Sequence, residues 1–211
     1  TQNQAFSALL FMCREVLQID LGDMSRNIRA RSGKRLPVVL YPEEVKALFK
    51  YMHGIPRLMA GLIYGGGLRV GECCSLRVKD LDFHGKLTHV RAAKGDKDRT
   101  TVLPESLVPE LEKQLRTAKG LHQEDISDGY GEVSLPGSLA RKYPNAGKEW
   151  CWQYVFPSAT LSTDPRSGRA GRWHVSEGML QKAVKRAVRA AGIAKHATVH
   201  TLRHTFATHL L

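Results

Sequence analysis

No stretch of this sequence approaches the roughly 20 consecutive apolar residues that a membrane-spanning helix requires, and the first residues lack the basic start and small-residue cleavage site of a secretion signal. The expectation is a cytoplasmic protein with no membrane partner. Cysteine is scarce as well. Cys13, Cys73, Cys74 and Cys151 form no CxxC pair, and two of them are adjacent in a stretch expected to be helical, which suits reduced structural thiols better than disulfides or a zinc site. The third shortage is of negative charge: 20 Asp and Glu face 32 Lys and Arg, for a formal net charge of +12. Between Pro165 and Leu211 Glu177 is the single anion. Such an imbalance points to a polyanionic partner.

What is present is enough for a full core. A length of 211 residues with 42% hydrophobic and 25% charged residues predicts one main domain. The chain starts on Thr and ends in mid-helix, without the Gly, Asn or Pro that closes such a pattern, so it reads as part of a longer protein. Residues 1–24 are read as the last helix of an upstream domain. Ala5, Leu9, Met12 and Val16 form one apolar stripe over residues 2–18, with Phe6, Leu10, Cys13 and Leu17 in a second beside it. Residues 25–36, with SRNIRARSGKR and no anion, form a basic linker, either lying along a phosphate backbone or simply solvated. Residues 37–211 are the main domain.

Within it, Pro42 opens a helix with Glu43 and Glu44 in its first turn and Val45, Leu48, Phe49 and Met52 along one side. A second helix, Pro56 to Tyr64, runs into GGGLRVGECCSL, where three glycines permit a close backbone approach, with an anion site in view, before a helix that starts near Arg69. KLTHVRAAKGDKDRTTVLP predicts a β-hairpin, Thr88 to Ala92 returning through Thr100 to Leu103, with Lys94 at its tip. A helix follows from Glu105 to Ala118. Residues 119–150 differ in texture and read as an insertion with a short helix, leading into an extended run on which Trp150, Trp152 and Tyr154 alternate. A helix from Met179 to Ala191 closes at Gly192, with Lys182, Lys185, Arg186 and Arg189 on its polar side. The fold class is therefore mainly α with a small antiparallel sheet.

The last helix carries the chemistry. Leu202, Phe206 and Leu210 form its expected buried stripe, His209 is read as a satisfied core histidine, and His200, Arg203 and His204 share another face. Arg203 can offer phosphate a bidentate fork, and His200 can bond the same group or move a proton. Phosphodiester reactions concentrate charge on non-bridging oxygens, which a second guanidinium, Arg69, would help to hold. A leaving alkoxide needs a proton, and Lys94 can supply it. His200 and His204 also have the i, i+4 spacing of zinc ligands, but no carboxylate lies between them and the field is positive, so no metal is expected.

Taken in order, GLRVGE around Arg69, the hairpin lysine of AKGDKDR and HTLRHTFATHLL resemble the first arginine box, the β-hairpin lysine and the HxxR box of the tyrosine recombinases. LARKYPNAGKEWCWQYVFPS and STDPRSGRAGRWHVSE resemble the extra segment of integron integrases, and TQNQAFSALLFMCREVL the end of their N-terminal, SAM-like core-binding domain. The resemblance implies the tyrosine recombinase catalytic-domain fold, incomplete at its C-terminus, and cofactor-free strand exchange through a 3′-phosphotyrosyl link that inserts and excises gene cassettes. It makes Arg69, Lys94, His200 and Arg203 catalytic, and puts a further His or Trp box and the nucleophilic tyrosine beyond Leu211, so that this fragment should bind without cleaving. It implies a homo-tetramer on DNA whose partner sites are a duplex and a folded single-stranded hairpin with extrahelical bases. Trp152, Pro165, Trp173 and His174 are the implied grips for those bases, although Trp173 stands where relatives often carry a second histidine. Two alternatives remain open at this point: a DNA-binding module without chemistry, and a phage-type recombinase confined to duplex sites.

Overall fold

A computed structural model describes residues 2–24, 27, 30, 36–93, 97–135, 139–164 and 168–210, with backbone alone at 92, 93 and 97. It contains two units, residues 1–36 and 37–211. In the first, α1 (Gln2–Phe11) passes directly into a π-helical turn over Met12–Val16. Asn3 ties this helix to the chain at Ala30 through reciprocal 2.9 Å hydrogen bonds. No residue of either apolar stripe is buried: Leu9 is 56% and Val16 65% exposed in the first, while Phe6, Leu10 and Cys13 of the second are half-buried.

The second unit is built around α3 (Gly54–Gly66), whose Leu58, Met59, Leu62 and Ile63 are all buried. Before it comes α2 (Pro42–Lys50), where proline supplies a preset first turn and Glu44 caps the Tyr41 amide at 2.7 Å. Against α3 pack α7 (Glu177–Ala190) and α8 (Val199–His209), and α7 also packs on α2. α7 buries Leu180, Val184, Ala187 and Val188 and leaves its four cations in solvent. α8 buries Val199, Leu202 and Thr205, and the Thr205 hydroxyl accepts the Leu40 amide at 3.1 Å, fastening the segment before α2 to the last helix.

After α3 comes the short α4 (Val70–Cys74), with Cys73 and Cys74 both buried and all four cysteines free. Burial pushes the Cys73 thiol far up, so it behaves as an inert core group. Three antiparallel strands follow in spatial order, β1 (Leu81–Asp82), β2 (Leu87–Ala93) and β3 (Lys97–Val102). The hairpin pairs Leu87 with Val102, Thr88 with Thr101 and Val90 with Arg99, and its register shifts between Val90 and Ala93. The molecule is thus mostly helical with a small antiparallel sheet.

Four sequence expectations need correcting. The helix expected to end at Ala118 is α5 (Val108–Ser127), because Leu111, Ala118, His122 and Asp125 continue one buried stripe whose last two members are polar. The aromatic run is not a strand: Trp150–Trp152 is a 3₁₀ turn, closed by the Gln153 amide on the Trp150 carbonyl at 3.0 Å, while the buried Gln153 side chain donates to the Gly147 carbonyl at 2.9 Å. The segment also holds α6 (Leu139–Lys142) and a two-residue ladder of β4 (Ser162–Thr163) with β5 (Ala170–Gly171). The stripe on α8 stops early, with Phe206 half-buried and Leu210 66% exposed. His209 is exposed too, yet satisfied by the Tyr64 hydroxyl at 3.0 Å from Nδ1.

Candidate functional site

The glycine-rich turn sets the site. Gly67 closes α3 in the left-handed region at φ +62°, and a Cβ there would run into the Phe206 ring of α8. A Cβ on Gly65 would meet Pro104 Cγ at 2.5 Å, just past β3. The sequence suggested that these glycines admit an anion; what they admit is the protein's own hairpin and last helix. The result is that Arg69, at the N-cap of α4, lies beside α8.

Arg69, Arg99 and Arg203 gather around one carboxylate, that of Glu72, whose side chain is only 11% exposed. Oε1 accepts Arg69 Nη1 at 2.7 Å and Arg99 Nη1 at 2.8 Å; Oε2 accepts the Arg69 amide at 2.7 Å and Arg99 Nη2 at 2.6 Å. Burial works against ionisation of Glu72, but the hydrogen bonds from Arg99 and Arg69 outweigh it and hold the carboxyl at about 2. Arg203 donates to the Gly67 carbonyl and stands 3.8 Å from Glu72 Oε2. Desolvation and the nearby Arg69 lower its own pKa, with Glu72 opposing them.

His200 and His204, one turn apart on α8, stack edge to face with ring centroids 4.4 Å apart. Partial desolvation, then His204, Arg203 and Arg69, lower the His200 pKa, which favours the neutral imidazole at neutral pH. Three guanidiniums against one carboxylate leave this corner cationic, with an uncharged base at its edge. That arrangement can bind a phosphate and take up a proton. The structure brings Arg69, His200 and Arg203 together. Lys94 lies outside the described residues.

The second set of expected residues is less unified. A groove of about 570 Å³ opens among residues between 129 and 173, lined among others by Tyr130, Arg141, Pro144, Tyr154 and Trp173. His174 stands behind it, its ring edge-on to Tyr154 at 5.2 Å. Trp152 does not line the groove. Its ring is covered by Lys79 Nζ, 2.9 Å from the centroid, and its carbonyl accepts Arg77 Nη1 at 2.6 Å. The Arg77 guanidinium also lies 4.7 Å from the Tyr154 ring centroid. Pro165 lies outside the described residues.

Residues 38–211 match the Phage integrase family. The chain belongs to this family. Proteins of Escherichia coli and Pseudomonas aeruginosa, each named integrase/recombinase, are 50% identical to it over 212 residues, an alignment that takes in 100% of this chain and 63% of theirs. The tyrosine recombinase XerA of Pyrococcus furiosus is 33% identical over 184 residues, covering 84% of this chain and 49% of that protein. The chain thus spans less than two thirds of the length of these relatives. Among solved structures, a lambda integrase tetramer bound to a Holliday junction superposes with a TM-score of 0.56 at 16% identity, over 97% of this chain and 51% of that one. That likeness is one of fold.

Within a phage integrase domain, two of the residues described here escaped sequence reasoning. Glu72 lies inside GLRVGE, where nothing in the sequence shows that a second arginine, from the hairpin, reaches it. Arg99 was one charge among several in KGDKDR, and what would have marked it is its place opposite Val90 in the hairpin register.

Proposed function

We propose that the chain supplies most of the catalytic domain of a tyrosine-type site-specific DNA recombinase, and that its parent is an integron integrase. The observation that carries the reading is the meeting of Arg69 and Arg203, from separate elements, beside a carboxylate that leaves them donors to spare. In this reading Arg69 and Arg203 hold the non-bridging oxygens of the scissile phosphate, where removal of one such donor slows chemistry roughly 100- to 1,000-fold. His200 bonds the same phosphate and accepts a proton. Lys94 protonates the departing 5′ oxygen, and a tyrosine beyond Leu211 forms the 3′-phosphotyrosyl link that a partner strand's 5′-hydroxyl later displaces. The four exposed cations of α7 and the net charge of +12 support DNA as the partner.

The finer reading rests on the groove. Its aromatic lining, Tyr130 and Trp173, suits an unpaired base, for which stacking contributes about 1 to 3 kcal/mol. A folded single-stranded hairpin with extrahelical bases is then one substrate and a duplex site the other, with cassette insertion and excision as the outcome and a cytoplasmic homo-tetramer as the working form. Residues 1–24 close the core-binding domain, 25–36 form the linker, 37–211 carry catalysis, and the segment at about 119–150 is the subfamily's insertion. In the full-length protein, Arg203→Ala should abolish covalent capture of DNA and largely preserve binding; unimpaired capture overturns the assignment. Trp173→Ala should weaken binding of a bulged hairpin more than of its fully paired counterpart. Equal loss on both would return the protein to the duplex-only class.

A further inference from the structure

Arg99 commits both of its terminal nitrogens to Glu72, at 2.8 and 2.6 Å, from a strand outside both arginine motifs. A carboxylate has about four lone-pair sites. Here all four are taken, two by Arg99 and two by the amide and side chain of Arg69. Arg203 Nη1, at 3.8 Å, is left outside hydrogen-bond reach of Glu72 and turns to the Gly67 carbonyl. Among the described residues, the remaining N–H groups of Arg69 and Arg203 meet no protein acceptor.

We infer that Arg99 is a positioning residue for the phosphate clamp: by saturating Glu72 it keeps that carboxylate, which already holds one guanidinium nitrogen of Arg69, from capturing the remaining donors of Arg69 and those of Arg203. The inference rests on the reading of Arg69 and Arg203 as the clamp. Without Arg99, Glu72 regains two open lone-pair sites while keeping its charge, and the nearest cation free to fill them is Arg203. A guanidinium drawn onto the carboxylate is turned away from the substrate. Arg99 itself, with both ends occupied, does not touch the phosphate; it acts through Glu72. The same fork fastens β3 to the start of α4, so the hairpin and the first arginine motif move as one piece.

The test uses the full-length protein and a nicked duplex site that traps the covalent protein–DNA adduct. Arg99→Ala should slow adduct formation by about 100-fold, the effect of a small misplacement of catalytic groups, while changing duplex affinity by no more than about threefold. The double variant Glu72→Gln/Arg99→Ala, in which a neutral amide no longer competes for the guanidiniums, should recover at least about tenfold of that loss. Arg99→Lys, a point charge in place of a fork, should fall between the parent and Arg99→Ala. An Arg99→Ala protein that captures DNA at the parent rate overturns the inference, as does a double variant no faster than Arg99→Ala, because a mere strut is not rescued by removing its partner's charge. Should Arg99→Ala fail to fold, Arg99→Lys with and without Glu72→Gln is compared by the same criterion. Arg203→Ala separates the two claims. Capture that survives it removes the clamp itself, whereas capture lost there and intact in Arg99→Ala removes this inference alone.

Discussion

Replacing Glu72 with glutamine probes the centre of the site through stability alone. The carboxyl sits at about 2 in the folded chain against an ordinary 4.5, because the bonds from Arg99 and Arg69 overcome the opposing effect of burial. At about 1.4 kcal/mol per tenfold change in proton affinity, that difference stabilises the folded state by roughly 3 kcal/mol at neutral pH. The sign follows from the direction. A carboxyl lowered by folding contributes its full stabilisation above its unfolded value and loses it as pH falls towards its folded value. Glutamine keeps one carbonyl for one pair of donors, turns an NH₂ towards the other pair and leaves three guanidiniums without a counter-charge. Urea unfolding of parent and variant should therefore differ by roughly 3 kcal/mol near pH 7, hold that gap to about pH 5, then narrow by up to about 1.4 kcal/mol per pH unit. A variant as stable as the parent near pH 7, or a gap that stays flat down to about pH 3.5, would refute a carboxylate shared between Arg69 and Arg99.

Three further outcomes follow from the same geometry. Gly67→Ala places a Cβ at positive φ and into the Phe206 ring, so it should destabilise the fold by about 1 to 3 kcal/mol in thermal unfolding and weaken DNA binding as the turn shifts; a silent substitution would remove the turn from the site. The lowered His200 pKa means that an entering phosphate draws a proton onto the imidazole, so calorimetry near pH 7 in buffers of different ionisation enthalpy should show proton uptake on DNA binding that His200→Ala abolishes. Asp125→Asn strands the guanidinium of Arg172, whose Nε and Nη2 reach the Asp125 carboxylate at 2.6 and 2.7 Å and whose side chain is 13% exposed; denaturation should show a loss of about 3 to 5 kcal/mol, and a loss under about 1 would mean that the pair is solvated.

Much of the scaffold could be read from apolar spacing. α2 and α7 declared themselves through stripes at helical period, and the hairpin through alternation around KGDKD, because in each the buried positions are hydrophobic. α5 was cut short because its buried stripe changes chemistry. His122 and Asp125 occupy core positions, held by the Lys148 carbonyl at 3.1 Å and by Arg172, and a hydropathy pattern does not register a polar residue whose partner lies elsewhere. The aromatics from Trp150 misled for the opposite reason, since alternating large side chains fit a strand but also a 3₁₀ turn whose amides bond locally. Arg69 and Arg203 were legible because they sit in motifs at helix starts and faces. Arg99 was not, because its contact with Glu72 spans 27 residues of sequence and exists only once the hairpin register is set.

The groove and the arginine cluster are joined by a short stretch of chain that runs from Trp173 into α7. The Trp173 carbonyl accepts the Ser158 amide at 2.7 Å, the Val175 amide returns to the Phe156 carbonyl at 2.9 Å, and two residues later α7 begins. Glu177, its first residue, holds a carboxylate oxygen 2.9 Å from where a Cβ on Gly71 would lie, in the helix that Arg69 caps. From Trp173 to Glu177 is four peptide steps, at most about 14 Å of chain, and the bonds to Ser158 and to the buried Phe156 hold its first half. At the groove end Arg172 is anchored by Asp125 and by the carbonyls of Ser158 and Ala159; at the other end α7 packs on α3, which delivers the glycine turn. The chain from Trp173 therefore runs, hydrogen-bonded on its way, to a residue that abuts the helix capped by Arg69.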